Sequence, residues 1–545
     1  MLALLLILSS APQDPSELAL PKIFGDHMVL QSEKPVRLWG WAKAEEEVTV
    51  TFAGQIEKTR AKNGRWSIQL NSMAASFEPR ELMVRASSGV ITLRDVLVGE
   101  VWVCGGQSNM EWTLRSSRDA DLEVMSADSP AIRFIRLPKI ARAEPQEDFP
   151  VKSDTSPEGN WRRCIPEQVE NCTAVGYYFA RRLHRRLKRP VGLIDTSWGG
   201  TMAQHWVTKE TLAPIAAMKP YLERYQQDLR TWIDGGCEAG AEQRHKADLK
   251  AWEVERDKAQ NEGRRVPGKP SPNRYTDPAS KGQPGGMMNG VIRPIDKMTL
   301  RGVIFYQGEN NSFTVGWKPF PETFPAVISD WRRVFGEADL PFGIIQIAGW
   351  SNRRSMTYDM NHHTNVVREI QLNTWKRTPG TGLIATYDTN SNGSIHPGRK
   401  LPVGERTARW ALAEVYQVKA YRSNDAPEWR GPVYRGHEVV KNKVVITFED
   451  GTNRGLRLDQ DVDVGFYIAG KDAVFHTARA RVRGKDNSIE VWNDAVPAPI
   501  AVRYAWSNLP AGGLMNAREL PAYPFRTDTW PMTPHQSTGS YEVGK

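Results

Sequence analysis

The chain has 545 residues, more than one hydrophobic core can serve, so two to four domains are expected. With 40% hydrophobic and 25% charged residues its composition is that of a globular protein, which excludes a chain dominated by disorder. The formal net charge is +9, yet Lys and Arg are scattered rather than gathered into one stripe; this argues against a nucleic-acid partner and leaves a mildly basic surface that favours anionic substrates.

Residues 1–20 open with MLALLLILSSAPQ, an apolar run followed by small residues that resembles the core and cleavage zone of a secretory signal, although the usual basic start is missing. An exported protein, periplasmic or extracellular, is expected. No other stretch approaches the about 20 apolar residues of a spanning helix, so no membrane span is expected. From 21 to 96 short alternating runs (VRLWGWA, EVTVTFAG, RWSIQLN, ELMVRAS) separated by turn residues predict a small antiparallel β-sandwich. From 97 to 430 apolar strands that end in glycine or polar residues alternate with amphipathic segments: VWVC before GGQSN, VGLIDTS before WGG, GVIFYQ before GENN, FGIIQIA before GW, and LIATYD before TNSNG. The alternation predicts an α/β domain with a parallel sheet, whose strand carboxyl ends share the edge where ligands bind.

Residues 208–283 interrupt the pattern with a polar, Pro/Gly-rich stretch, read as one or two surface helices and a long loop, either a lid or a decoration. The densest basic run, RRLHRRLKR from Arg181 to Arg189, has the spacing of a solvated helix face. Short strands return over 431–531 as a second β-module, followed by a tail at 532–545. The 19 Trp suit sugar faces or large core positions. Cys104, Cys164, Cys172 and Cys237 lack metal-ligand spacing, and Cys164 with Cys172 is the only close pair, compatible with a disulfide or with buried thiols.

The chemistry gathers at strand ends. Gly105-Gly106-Gln107-Ser108 closes an apolar run and delivers a serine to a loop that a ligand can approach; the alternative is a serine that only caps a turn. A nucleophilic serine needs a base and oxyanion donors. His396, on the loop after LIATYD, is the histidine in a strand-end context, whereas His362 and His363 precede a helix and suit surface positions. The backbone N–H of Ser108, those of Gly199 or Gly200, and a side-chain amide from Gln307, Asn310 or Asn311 are the candidate donors. No metal or cofactor is required.

GGQSNMEW, AVGYYFARRLHRRL, PVGLIDTSWGGT, NGVIRPIDKMTLRGVIFYQGENN, REIQLNT, SIHPGRK, GFYIAGKDAVFHTA, VRYAWSN and PAYPFRTDTW, in this order, resemble the sialate O-acetylesterase family of SGNH-type hydrolases from about residue 20 to 530, the insertion excepted. The resemblance implies a flavodoxin-like SGNH domain flanked by β-modules at both ends. It also implies a serine esterase that removes O-acetyl groups from carbohydrates, sialic acids foremost. By motif, Ser108 matches the nucleophile and His396 the base. Gly200 and the run Gln307 to Asn311 match the oxyanion block, Gln107 beside the nucleophile is counted with the oxyanion and substrate-binding residues, and Glu309 of the same set organises its loop.

The chain also departs from the family. An acidic residue often stands two or three positions before the histidine, where this chain has Ser394 and Gly393. Asp388 is then the nearest candidate to orient His396, and a Ser-His dyad oriented by a backbone carbonyl is the competing reading. Gln204 stands where relatives commonly carry Glu. Two other functions remain open: an acetylesterase of xylan or another acetylated polysaccharide, and a glycan-binding protein on an inactive hydrolase fold.

Overall fold

A computed structural model describes residues 17–271, 278, 281–313, 316–350, 363–391, 393–459 and 464–530. Most of the expected export segment, His362 and the tail 532–545 lie outside the described residues.

The N-terminal strands are β1 (Val29–Gln31), β2 (Val36–Trp41), β3 (Glu47–Phe52), β4 (Gln55–Arg60), β5 (Arg65–Leu70), β6 (Ser76–Ala86) and β7 (Gly89–Gly106). Period two is plain in β5, where Trp66, Ile68 and Leu70 are buried and Arg65, Ser67 and Gln69 face out. Strand β2 pairs with β5, and β3 pairs with β4 and β6, all antiparallel.

Strand β7 is 18 residues long and belongs to two sheets. Its first half pairs antiparallel with β6, and its second half, buried without interruption from Val96, forms the centre of a parallel sheet. The expected boundary at 96/97 therefore falls inside one strand. At the crossing, Asp95 takes φ +55°, beside irregular β6–β7 pairing, and its carboxylate accepts from Arg133 and Arg163 at 2.8 and 2.7 Å. Strand β1 runs parallel to β7, with Val29 opposite Leu97.

The parallel sheet continues through β8 (Ser129–Arg136), β9 (Arg162–Cys164), β10 (Val191–Asp195), β11 (Gly302–Tyr306), β12 (Phe342–Ile345) and β13 (Thr381–Ile384). Its order is β13-β12-β11-β7-β10-β8-β9, with only the edge strand β9 antiparallel. Strands β10, β11 and β12 are buried along their whole length, as expected where helices cover both faces. The chain first builds on the β10 side of β7 and then on the β11 side, so a topological switch point opens beside β7, the place where such sheets bind ligands.

The helices used below are α1 (Ser108–Glu111), α2 (Ala174–Leu187), α3 (Lys219–Asp234), α4 (Cys237–Asn261), α5 (Phe320–Phe335), α6 (Thr364–Arg377) and α7 (Leu401–Trp410). Thr173 caps α2 by accepting from the Gly176 N–H. Helices α3 and α4 belong to the 208–283 insertion. The basic run on α2 is partly neutralised, since Arg181 pairs with Glu123 and Arg182 with Glu405.

The C-terminal part forms two four-stranded antiparallel sheets around a separate core that includes Ile446, Phe466, Tyr504 and Phe525. Tyr387, at the end of the last parallel strand, joins that core and meets the Tyr504 hydroxyl at 2.9 Å. The fold is thus an α/β domain with a parallel sheet and antiparallel modules at both ends. Trp102, Trp206, Trp331, Trp410 and Trp506 are fully buried and act as core fillers. All four cysteines are free thiols, with Cys104, Cys164 and Cys172 buried.

Candidate active site

Strand β7 ends on Gly106, whose φ of +118° suits glycine alone. A Cβ there would lie 2.1 Å from the Tyr306 carbonyl oxygen, so the close approach of β7 and β11 also requires glycine. The tight exit turns the chain straight into α1, with Ser108 as its first residue. The WGG loop after β10 is clamped to the same strand end, the Trp198 N–H donating to the Gly106 carbonyl at 2.9 Å.

Ser108 Oγ and His396 Nε2 lie 2.8 Å apart, although 288 positions separate the residues. The His396 ring stacks on Trp112 with centroids 5.4 Å apart and planes 25° from parallel. Its backbone N–H donates to Ser394 Oγ at 3.0 Å. Among the described residues no carboxylate meets its Nδ1. Asp388 instead forms a two-pronged pair with Arg406, at 2.7 and 2.6 Å. Burial, and next the Lys400 charge, hold the His396 pKa below its ordinary value, with Glu111 pulling weakly the other way.

The histidine loop is tied to the nucleophile loop by a buried network that the sequence did not disclose. Lys400 Nζ donates to Asn109 Oδ1. Asn109 Nδ2 donates to Glu309 Oε1 and, at 3.1 Å, to the carbonyl of Ile395, the neighbour of His396. Asn109, Glu309 and Lys400 are all buried. Burial lowers the Lys400 pKa and raises that of Glu309. Asn109 therefore joins three strand-end loops, from β7, β11 and β13, at one side chain.

Glu111 also has a role that local pattern does not reveal. One oxygen accepts from the Gly199 N–H at 2.6 Å and the other from Lys139. The Gly199 N–H is thus committed, whereas those of Ser108 and Gly200 make no hydrogen bond among the described residues. Gly200 sits at φ +75°.

The three expected amide donors are engaged with the protein. Gln307 Nε2 donates to Gln107 Oε1 and to the Thr201 carbonyl, both at 2.8 Å. Asn310 Nδ2 donates to the Gly200 carbonyl at 2.8 Å, and its N–H donates to Gln107 Oε1 at 3.2 Å. Asn311 Nδ2 reaches Gln204 Oε1 and the Gly316 carbonyl, both at 3.3 Å. These amides brace the Gly200–Thr201 backbone and the Gln107 side chain beside Ser108. Lys281, from the end of the insertion, donates to the Gly199 carbonyl at 3.2 Å, so the insertion reaches the site. His363 is buried and stacks on Trp317, with centroids 5.1 Å apart.

The described residues contain no group of three or more His, Cys, Asp or Glu arranged to hold a metal ion. They also contain no helix long and apolar enough to cross a membrane.

No known family profile matches the chain. The sialate O-acetylesterase of Mus musculus is 26% identical over 528 residues, spanning 89% of this chain and 88% of the mouse protein. That of Homo sapiens is 27% identical over 432 residues, spanning 72% of this chain and 70% of its own. Among solved structures, a carbohydrate acetylesterase from Xanthomonas citri superposes with a TM-score of 0.74 at 29% identity, over 94% of this chain and 100% of the other. These likenesses agree with the strand-end arrangement of the loops: the chain is a carboxylic ester hydrolase, similar over most of its length to the sialate O-acetylesterases.

Proposed function

We propose that the protein hydrolyses O-acetyl esters on carbohydrates through an acetyl-enzyme on Ser108. The observation that carries this reading is the 2.8 Å contact between Ser108 Oγ and His396 Nε2 at the switch point of a parallel sheet. His396, kept neutral by its lowered pKa, takes the serine proton as Oγ attacks the acetyl carbonyl. The Ser108 and Gly200 N–H groups receive the oxyanion. His396 then returns the proton to the leaving sugar hydroxyl, and a water activated by the same ring releases acetate. With Asp388 held by Arg406, a dyad is the better description: Trp112 and the Asn109–Ile395 bond orient the ring.

Among substrates we propose O-acetylated sialic acids, which supply the names of the curated relatives. The Xanthomonas citri likeness keeps other acetylated glycans in view. Export follows from the apolar start of the chain as part of the same reading, and sequencing the mature N-terminus checks it.

The test is acetate release from an aryl acetate, 9-O-acetyl sialic acid and acetylated xylan. Ser108→Ala should lose about 10³-fold or more in kcat on the aryl ester. Full activity in that variant would sink the nucleophile assignment. Faster turnover of xylan than of the sialic ester would move the substrate to polysaccharide, and tight sugar binding without turnover would favour a binding protein.

A further inference from the structure

A cleft of roughly 1410 Å³ lies away from Ser108, between α7, residues 412–428 and the C-terminal sheets. Nine guanidinium or ammonium groups line it against five carboxylates. Three cations are matched inside it: Arg406 by Asp388, Arg182 by Glu405, and Arg457 by Glu519. Glu428 pairs with Arg430, which does not line the cleft. Six cations (Arg186, Arg399, Arg409, Lys419, Arg454 and Arg518) carry no ion pair among the described residues.

Arg186, Arg399, Lys419, Arg454 and Arg518 are exposed along the rim, and Arg409 is set deeper in the wall. Arg409 is half-buried, and its only hydrogen bond among the described residues goes to the Glu428 carbonyl. Desolvation, followed by repulsion from Arg518, lowers its pKa; the Glu428 carboxylate opposes the shift, and Arg182 adds to it. Like charges crowded at a partly dry wall favour an anion between them. The volume far exceeds one small inorganic anion, and the cations are spread along the walls, which suits a chain with repeated negative units. Tyr421 on the same lining is 85% exposed, with the Arg422 guanidinium 4.9 Å from its ring centroid. A flat aromatic face of this kind stacks on sugar rings. Arg399 is three residues past His396, so its backbone lies within about 11 Å of the proposed base, and one glycan could span both sites.

We propose that this cleft is a non-catalytic binding site for an acidic oligosaccharide, whose carboxylates meet Arg399, Arg409, Arg454 and Arg518 while one sugar ring lies on Tyr421. The proposal rests on the glycan-esterase reading and names the acidic class of chain that the enzyme would hold.

The experiment is calorimetric titration of the full chain with a tetramer of galacturonic acid, with neutral xylotetraose and with inorganic phosphate, at low and high salt. The acidic tetramer should bind at least tenfold tighter than either control, and more weakly at high salt. The double variant Arg454→Gln/Arg518→Gln, at two exposed positions, should weaken it about three- to tenfold. Tyr421→Ala should weaken the acidic tetramer by a similar factor. Equal binding of acidic and neutral tetramers, phosphate binding as tightly as the tetramer, or unchanged affinity in the variants would overturn the proposal. Aryl acetate turnover is measured in the same samples. Turnover without tetramer binding removes the cleft site alone, and binding without turnover removes the esterase reading alone. Retained turnover in the variants also reports that they are folded.

Discussion

His396 is surrounded by groups that favour its neutral form. Burial and the Lys400 charge lower its pKa, and the Glu111 carboxylate opposes them. Since a general base works only when unprotonated, the acid limb of kcat/KM should fall below pH 6.5, the ordinary histidine value. Glu111→Gln removes the one opposing charge, so the limb should move to still lower pH; a pH–rate profile on an aryl acetate checks the sign, and an upward shift contradicts it. Asn109 gives a second prediction. In Asn109→Ala the Ile395 carbonyl loses its anchor, and Lys400 and Glu309 lose their shared bridge. The expected result is a fall in kcat of about 10- to 10²-fold with KM little changed, from a displaced base. Thermal unfolding should show a loss of about 1–3 kcal/mol from the buried groups left unpaired. Ser108 and His396 could be named as candidates from the sequence because each stands where a strand pattern breaks into glycine and polar residues, and the structure brings them to 2.8 Å. Asn109, Glu111 and Trp112 lie in the same GGQSNMEW run, but their roles depend on Glu309, Gly199 and His396, far along the chain, and no local spacing encodes such pairings.

At the scale of elements, each strand end brings one loop to the site. Gly106 is the tightest of these joints, because a side chain there would enter the Tyr306 carbonyl. Gly106→Ala should therefore cost more than about 3 kcal/mol and yield little soluble enzyme, as judged by expression and thermal unfolding. A soluble variant with unchanged activity would contradict the geometry. The succession of parallel strands and helices was legible because buried strands read as short apolar runs and the helices as amphipathic segments. The continuity of β7 was not. Asp95 and the Gly99-Glu100 pair look like turn residues, yet Asp95 sits at the crossing between sheets and Glu100 is wholly buried. Glu100 is tolerated there because Gln31, Ser32, Arg189 and Arg301 all donate to it. Burial alone would raise its pKa; the Arg301 charge and the hydrogen bonds from Arg189, Arg301 and Gln31 hold it below the usual range. The insertion was legible only as polar helices and a loop, whereas its end places Lys281 against the Gly199 carbonyl.

For the whole molecule, the N-terminal sheet belongs to the same hydrophobic core as the parallel sheet. Gln31 and Ser32 satisfy Glu100, and β1 covers one edge of β7. A fragment that begins at Leu97 should accordingly fail to fold into an active monomer, which circular dichroism and aryl acetate turnover would detect; a folded, active fragment would show that the two parts are separable. The shared strand also limits where the chain can change length. Side chains alternate along β7, so one residue inserted within it would swap the face of every group beyond it and break the pairing with its neighbours in whichever sheet took up the shift. Length changes should therefore be tolerated at hairpin ends and strand-end loops, as at the long segment 208–283, where they leave the distance from the N-terminal sheet to Ser108 unchanged.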